Sequence, residues 1–384
     1  MSANIRPAGI FDTTYAQDIM LRRTRADRIL SYGAFVFLLV LPLLTLAGPL
    51  GLNIIPELWI GTVNRIAIAT IAVQGLNILI GYTGQISLGH AAFMAVGAYS
   101  SAILGRGFDF LIPFTDVVIA IPPLSFWLAL PLSALMTGGV GLLFGLPSLR
   151  VKGFYLAMAT LAAQFIIPWV LRYPMAGLTN GSNPLEVPVP ALGPLSLGRD
   201  IEIYYVIVPL SVLLMLAARN ILRTRTGRAF ISIRDNDLAA ELLGINVFAY
   251  KLQAFFISAL YAGIAGALIA YETNSISLQS FQLDRSVEML AMLLIGGAGF
   301  PQGALFGVAF VNLLTQSFIP AISPKIRELL PTLLPFVDPV NIFAAVNPLL
   351  FGFILALFLI LEPRGLAYRW EILKISWKIR PYSH

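Results

Sequence analysis

The sequence predicts an all-α fold, that of a polytopic transmembrane helical protein, and three observations support this. Of the 384 residues, 58% are hydrophobic and only 11% are charged, whereas a soluble domain carries about 25% charged residues. The mean hydropathy is +0.83. The apolar residues are gathered into long runs with short basic or proline-rich loops between them, which is the pattern of helices that cross a bilayer.

We predict about ten membrane segments in a domain of residues 32–362. A basic N-terminal segment, 1–31, precedes this domain, and a basic and aromatic tail, 363–384, follows it. In chain order the segments are 32–50, 65–83, 85–104, 126–147, 153–171, 203–218, 252–271, 287–298, 303–318 and 346–362. Several fall short of the roughly 20 residues of a full span, so some are expected to be half-spans. Helically spaced aromatic residues in the tail predict an interfacial helix.

The distribution of positive charge predicts that both termini are cytoplasmic. With this orientation, 18 of the 25 Lys and Arg residues lie on the inner side and 7 on the outer side, as the positive-inside rule requires. The loop 172–202 is then an outer loop and 219–251 is the longest inner loop. Five segments precede loop 172–202 and five follow it, and an odd number of segments per half makes the two halves inverted relative to each other.

Glycines interrupt or end the third segment of each half, and discontinuous segments at matching positions indicate a translocation path. In the first half the glycines accompany polar side chains inside an apolar region, where each polar group needs a partner. The candidate path residues are Thr83, Gln85, Ser87, His90, Gly296, Gly297 and Gly299. Two alternatives remain open: the glycines permit close helix packing, and Gln85 and His90 bridge helices without contacting a solute.

A charged, helix-prone stretch, Arg234–Gly244, lies within the inner loop 219–251. Asp235 or Asn236 is suited to cap a short helix, and Gly244 is suited to end it. Leu238, Leu242 and Leu243 would give that helix an apolar surface for a partner protein's groove. The alternative is a solvated helix that only connects two segments, and these leucines argue against it.

Several classes of protein are excluded by what the sequence lacks. There is no cysteine and there are only two histidines, so we expect no metal site. No G-x-x-x-x-G-K-[ST], H-E-x-x-H or G-x-S-x-G motif occurs, so we expect no bound cofactor and no enzymatic activity. The basic residues lie in short loops between apolar runs, which indicates membrane orientation and no binding of nucleic acid.

Four stretches together resemble a known family, the LivM-type permease subunits of branched-chain amino acid ABC importers. The stretch Gly81–Tyr99 is similar to the long family signature G-Y-x-G-Q-x-S-L-G-H-A-A-F. The other three are Leu149–Leu161, Thr179–Ser182 and Ile233–Gly244, and the resemblance extends over residues 65–362. One block departs from the family: Phe300 and Pro301 follow Gly299 where Ser or Thr is usual, which should alter the local bend.

The resemblance implies a permease that moves branched-chain amino acids or a related small polar solute across the bacterial cytoplasmic membrane. It also implies a LivH-type partner permease, two cytoplasmic ATPase subunits and a periplasmic or lipid-anchored solute-binding protein, besides membrane lipid. The coupling residues toward the ATPases would be Arg234, Asp235, Asn236, Glu241 and Gly244.

Other functions remain possible from the sequence. A urea or short-amide permease of the same family is one alternative. A transporter driven by an ion gradient is a second, although His90 and Glu288 are among the few ionisable residues inside the segments. A membrane enzyme acting on lipid is a third, and no polar catalytic cluster supports it.

Overall fold

A computed structural model of the protein describes residue 33 and residues 36–44, 58–111, 118–148, 154–192, 195–320, 324 and 339–379. This part of the chain is mostly helical, as predicted. In chain order its α-helices are α1 Leu58–Leu76, α2 His90–Arg106, α3 Phe126–Ser148, α4 Phe154–Arg172, α5 Ala176–Thr179, α6 Asp200–Arg223, α7 Arg225–Asp235, α8 Asp237–Leu242, α9 Val247–Thr273, α10 Leu283–Gly296, α11 Gly303–Leu313, α12 Pro339–Leu361 and α13 Leu366–Ile379. The predicted helix in the tail is α13.

Three short strand pairs correct the all-α prediction. Strands β1 (Phe108–Leu111) and β2 (Val118–Ile121) form an antiparallel hairpin, as do β4 (Ala191–Leu192) and β5 (Leu195–Ser196). Strand β3 (Leu185–Glu186) of the loop 172–202 pairs with β6 (Ser275–Ile276), just before α10. The sequence did not reveal these strands because pairings of two to four residues leave no alternating pattern long enough to detect.

Four described helical stretches are long and apolar enough to cross a membrane: Trp59–Tyr82, Phe126–Leu146, Asp200–Arg223 and Val247–Thr273. A fifth results if Leu349–Leu361 and Leu366–Ser376, which meet at a 42° bend, form one span. Helices α2 and α10 are shorter, with 17 and 14 residues. Residues 1–32 lie outside the described residues, as do part of segment 32–50 and most of the loop 319–345. The count of ten segments and their orientation stay predictions.

The two predicted halves share one packing order. In the second half α9 packs against α2 and α3 of the first half, while α1 of the first half packs against α10 and α11 of the second. Within the halves, α2 pairs with α3 and α10 pairs with α11. Each half thus packs one long helix, α1 or α9, against a helix pair of the other half, as two related halves would. This arrangement places α1 and α9 at the centre of the helical body.

The crossing of α2 and α9 depends on Gly97 of α2, which faces the backbone of Gly263 on α9. A Cβ atom at Gly97 would overlap the carbonyl oxygen and Cα of Gly263. Small residues at such crossings let helix backbones approach closely, and the approach itself supplies the packing energy in a membrane.

Gly97→Ala is therefore expected to reduce the amount of folded protein in the membrane and to lower its thermal unfolding midpoint, since overpacking a helix contact costs about 1–3 kcal/mol. The matched control is Gly139→Ala on α3, where an added Cβ meets no atom within 4 Å. The control should be neutral or slightly stabilising, because alanine favours helix. Equal thermal unfolding midpoints for the two variants would contradict the close approach of α2 and α9.

Candidate functional site

The helix that begins with α1 breaks where the sequence predicted a discontinuity. A π-helical turn, Asn77–Tyr82, extends α1, and residues 83–89 are then without regular structure until α2 begins at His90. The Nε2 of His90 donates a 2.9 Å hydrogen bond to the carbonyl of Ala72. Ala72 lies about 15 Å back along the helix from Tyr82. The chain therefore folds back into the helical body, and α2 begins inside it.

The polar residues of this first break are buried and mostly satisfied by nearby backbone. Thr83 Oγ1 donates to Leu79 O at 2.6 Å and accepts from Gln85 Nε2 at 2.9 Å. Gln85 Nε2 also lies 3.3 Å from Lys251 O on α9. Among the described residues, Gln85 Oε1 and Ser87 Oγ have no hydrogen-bond partner. The contacts of Gln85 and His90 are those of helix-bridging side chains, which was the alternative to a role in the path.

Side chains from α4 and α10 accept hydrogen bonds from the backbone amides at the start of α2. The amide of Leu88 donates to Thr160 Oγ1 at 3.0 Å, and the amide of Ala91 donates to Ser286 Oγ at 2.9 Å. The amide of Ala92 donates to Gln164 Oε1 at 3.1 Å. A helix that begins in an apolar interior needs such partners, because its first amides have none within the helix.

Gln164 also holds the start of α10. Its Oε1 accepts from Ser286 Oγ at 2.9 Å, and its Nε2 donates to Phe281 O, just before α10, at 2.8 Å. We call this set, Thr160, Gln164, Phe281, Ser286 and the start of α2, the Gln164 junction. It brings together the N-termini of the two short helices that occupy matching positions in the two halves, and both N-termini carry partial positive charge.

Gln164→Leu, a change of similar volume, should destabilise the protein, because the buried carbonyl of Phe281 loses its donor and the buried hydroxyl of Ser286 loses its acceptor. The amide of Ala92 keeps only its 3.1 Å bond to Gly89 O. Each such loss costs about 1–3 kcal/mol. The measurement is the thermal unfolding midpoint of the purified protein, which should fall by several degrees. The control is Gln253→Leu at an exposed position of α9, which should melt close to wild type. A Gln164 variant that melts like this control would show that the junction contributes little.

The second break, between α10 and α11, contains the glycine block of the second half. Gly296 is the last residue of α10, and the backbones of Gly303 and Gly307 approach it so closely that a Cβ would overlap them. Gly297 is buried beside Gly365. These contacts correspond to the close-packing alternative. Gly299 has a φ of +88°, which side-chain-bearing residues rarely adopt.

Asn77 joins the second break to the first. Its Oδ1 accepts the amide of Gly299 at 2.8 Å, and its Nδ2 donates to Phe300 O at 2.9 Å. Asn77 is fully buried in the π-helical turn. The sequence analysis did not single it out, although a lone asparagine within the apolar segment 65–83 is a signal for a bridging role.

Arg234, from the predicted coupling stretch, reaches the same place. Its Nη1 donates to Gly81 O at 2.9 Å, and a Cβ at Gly299 would lie 3.1 Å from that nitrogen. Its Nη2 forms an ion pair with Asp235 Oδ1 at 3.1 Å. We call Asn77, Gly81, Arg234 and Gly299 the Arg234 cluster. It connects the predicted inner loop to both helix breaks.

The coupling stretch Arg234–Gly244 begins at the end of α7 and contains all of α8. Helix α7 is anchored by the buried side chains of Phe230 and Ile233. Asn236 caps α8, since its Oδ1 accepts the amide of Ala239 at 3.0 Å, so of the two predicted capping residues Asn236 is the one used here. Gly244, with φ of +82°, follows the helix end as predicted.

The surface that α8 presents is apolar and exposed. Leu238, Leu242 and Leu243 are 60%, 89% and 82% exposed, and Glu241 beside them is exposed as well. Exposed leucines on a short helix outside the long apolar segments are typical of a surface that binds another protein.

These features define the class: a polytopic helical membrane protein in which two helices shorter than a full span, α2 and α10, meet near their N-termini. Residues 58–360 match the family described as the permease component of branched-chain amino acid transport systems, and the chain belongs to this family.

The high-affinity branched-chain amino acid transport system permease protein LivM of Salmonella typhimurium is 32% identical over 59% of this chain and 55% of its own length. The chain thus spans a little over half of that relative. A probable LivM of Methanocaldococcus jannaschii is 25% identical over 80% of this chain and 91% of its own. An autoinducer 2 import system permease, LsrC of an Enterobacter species, is 29% identical over 50% and 54%. No solved structure matches the chain.

Proposed function

We propose that the chain is the membrane-spanning permease subunit of an ABC importer that carries branched-chain amino acids across the bacterial cytoplasmic membrane. Relatives include ABC transporter permeases. The observation that carries the proposal is the Arg234 cluster, because it links an exposed helix on the inner loop to both helix breaks. A permease without an ATP site needs such a link to an external motor.

In this mechanism the ATPase subunits bind α8 through Leu238, Leu242 and Leu243. ATP binding and hydrolysis in those subunits move α8, and the motion reaches α7 because the two helices pack against each other. Phe230 and Ile233 join α7 to the helical body, so α7 passes the motion into that body. Arg234 passes the displacement to Gly81 and the Gly299 loop. The chain then bends at both helix breaks, and the starts of α2 and α10 shift with it. This shift closes the pore to the outside and opens it to the inside.

The remaining parts of the importer follow from this role. A LivH-type permease completes the pore, two ATPase subunits drive it, and a periplasmic or lipid-anchored protein delivers the solute. The apolar faces of α3 and α4, which include exposed Leu143 and Ile166, fit contact with lipid and with the second permease. The chain itself moves solute and carries out no chemical conversion.

The test is transport by the complete importer reconstituted in vesicles, with radiolabelled leucine as the solute. We expect accumulation that requires ATP on the ATPase side, the binding protein and both permeases. Excess urea should not compete, whereas isoleucine and valine should. Uphill accumulation by this chain alone under a proton or sodium gradient would establish the secondary-transporter alternative instead.

A further inference from the structure

A cavity of about 400 Å³ lies between the C-terminal half of α4 and the start of α10. Its volume falls within the range of small-molecule sites. The lining residues that matter for its chemistry are Gln164, Phe165, Trp169, Arg172, Leu278 and Asp284. Arg172 and Asp284 flank predicted outer loops, so the cavity is on the predicted outer side, and Gln164 belongs to the junction that holds the starts of α2 and α10.

Two opposite charges line this cavity without neutralising each other. The Nε of Arg172 is buried and has no hydrogen-bond partner among the described residues. In the same part of the chain no ion pair forms between Arg172 and Asp284, whereas the next residue, Arg285, pairs with Glu288 at 2.6 Å. A buried guanidinium nitrogen without a partner is costly, so the cavity lacks an anion beside Arg172. Asp284 is exposed and offers a carboxylate to a bound cation.

The space near these charges is apolar and aromatic. Phe165 and Trp169 line one wall of the cavity and Leu278 lines another. Such surfaces accept an aliphatic side chain through the hydrophobic effect. The start of α10, which bears Asp284 in its first turn, and the start of α2 nearby add positive potential.

We propose that this cavity binds a zwitterionic α-amino acid with an aliphatic side chain on its way into the pore. The carboxylate pairs with Arg172, the ammonium group pairs with Asp284, and the side chain lies against Trp169 and Leu278. This site rests on the proposed function, to which it adds the place where the solute is held. Because Gln164 lines the cavity and also holds both helix starts, an occupied site is in direct contact with the elements that move.

The test is binding of radiolabelled leucine to the purified complete importer in nanodiscs, without the binding protein. Two competitors each lack one charge: isopentylamine lacks the carboxylate and 4-methylpentanoate lacks the ammonium group. Wild type should prefer leucine over either by about 10- to 100-fold, the range for a charge-assisted hydrogen bond. Arg172→Gln should abolish only the preference over isopentylamine, and Asp284→Asn only the preference over 4-methylpentanoate.

Arg172→Lys, which keeps the charge, should retain part of the preference over isopentylamine. This variant distinguishes loss of the charge from a failure of Arg172→Gln to fold. Arg199→Gln is the matched control, because Arg199 is an exposed arginine on the same predicted side, paired with Glu202 at 2.7 Å. Unchanged preferences in both cavity variants, or no leucine binding by wild type, would overturn the site. ATP-driven leucine uptake by the same wild-type importer, reconstituted in vesicles with the binding protein, separates the two proposals: if uptake is intact, only the site fails, and if leucine is not transported, the proposed function fails as well.

Discussion

Glu241→Lys should abolish ATP-driven leucine uptake while the protein remains in the membrane at its normal level. Glu241 is exposed on α8 between the buried Ala240 and the exposed Leu242. A surface substitution of this kind changes folding stability by about 0.5 kcal/mol or less. In the assembled importer, however, it reverses a charge at the centre of the proposed ATPase contact, and a mismatched charge in an interface costs several kcal/mol.

The matched control for this variant is Glu371→Lys on α13. It makes the same charge change at an exposed position on the same predicted side of the membrane and should transport normally. A second variant, Leu242→Asp, should lose uptake for a different reason, since it places a charge where the partner's groove is apolar. Co-purification of the ATPase subunits should fail for Glu241→Lys and succeed for the control. Normal uptake by both α8 variants would remove α8 from the coupling contact.

Arg234→Ala should separate ATP hydrolysis from transport. The ATPases would still bind α8, but the 2.9 Å bond from Arg234 to Gly81 O would be lost, and with it the link from the inner loop to the first break. Coupling between sites is commonly worth 1–3 kcal/mol, and Arg234 is partly exposed, so the lower part of this range applies. We expect about a tenfold increase in ATP hydrolysed per leucine transported.

Arg225→Ala is the control, because Arg225 is exposed at the opposite end of the same helix. Arg234→Lys should be intermediate, since lysine keeps the charge but lacks the planar guanidinium that contacts Gly81 and Asp235 together. The ratio of hydrolysis to uptake in reconstituted vesicles is the measurement. If that ratio is the same in wild type and in Arg234→Ala, the displacement reaches the helix breaks by another route.

The sequence predicts the local features of this protein well. Signals from neighbouring residues identify the helix break at Gly84, the cap at Asn236 and the helix end at Gly244, because each depends on only a few positions in the chain. The exposed leucines of α8 are visible as apolar residues in an otherwise charged stretch. The membrane class follows from composition alone.

The features that the sequence does not predict are contacts between distant residues. Ser286 lies 195 positions from Ala91, and Arg234 lies 153 positions from Gly81. No periodicity records which polar side chain meets which. The same limit affects the segment count, because the hydropathy of a half-length helix such as α10 resembles that of a full span. Of the residues that the sequence analysis missed, Gln164 has the clearest signal, because it is a lone amide side chain within the apolar segment 153–171.

The Gln164 junction also bears on how the protein is made. The amide of Ala91 receives its partner only after Ser286 has left the ribosome, 195 residues later, which takes roughly 10–40 s at ordinary translation speeds. Until then the nascent first half sits in the bilayer without the partner of the Ala91 amide, although Thr160 and Gln164 are already present for Leu88 and Ala92. Chains that terminate early should therefore be recognised and degraded by membrane proteases, and the first half should not persist when it is synthesised alone.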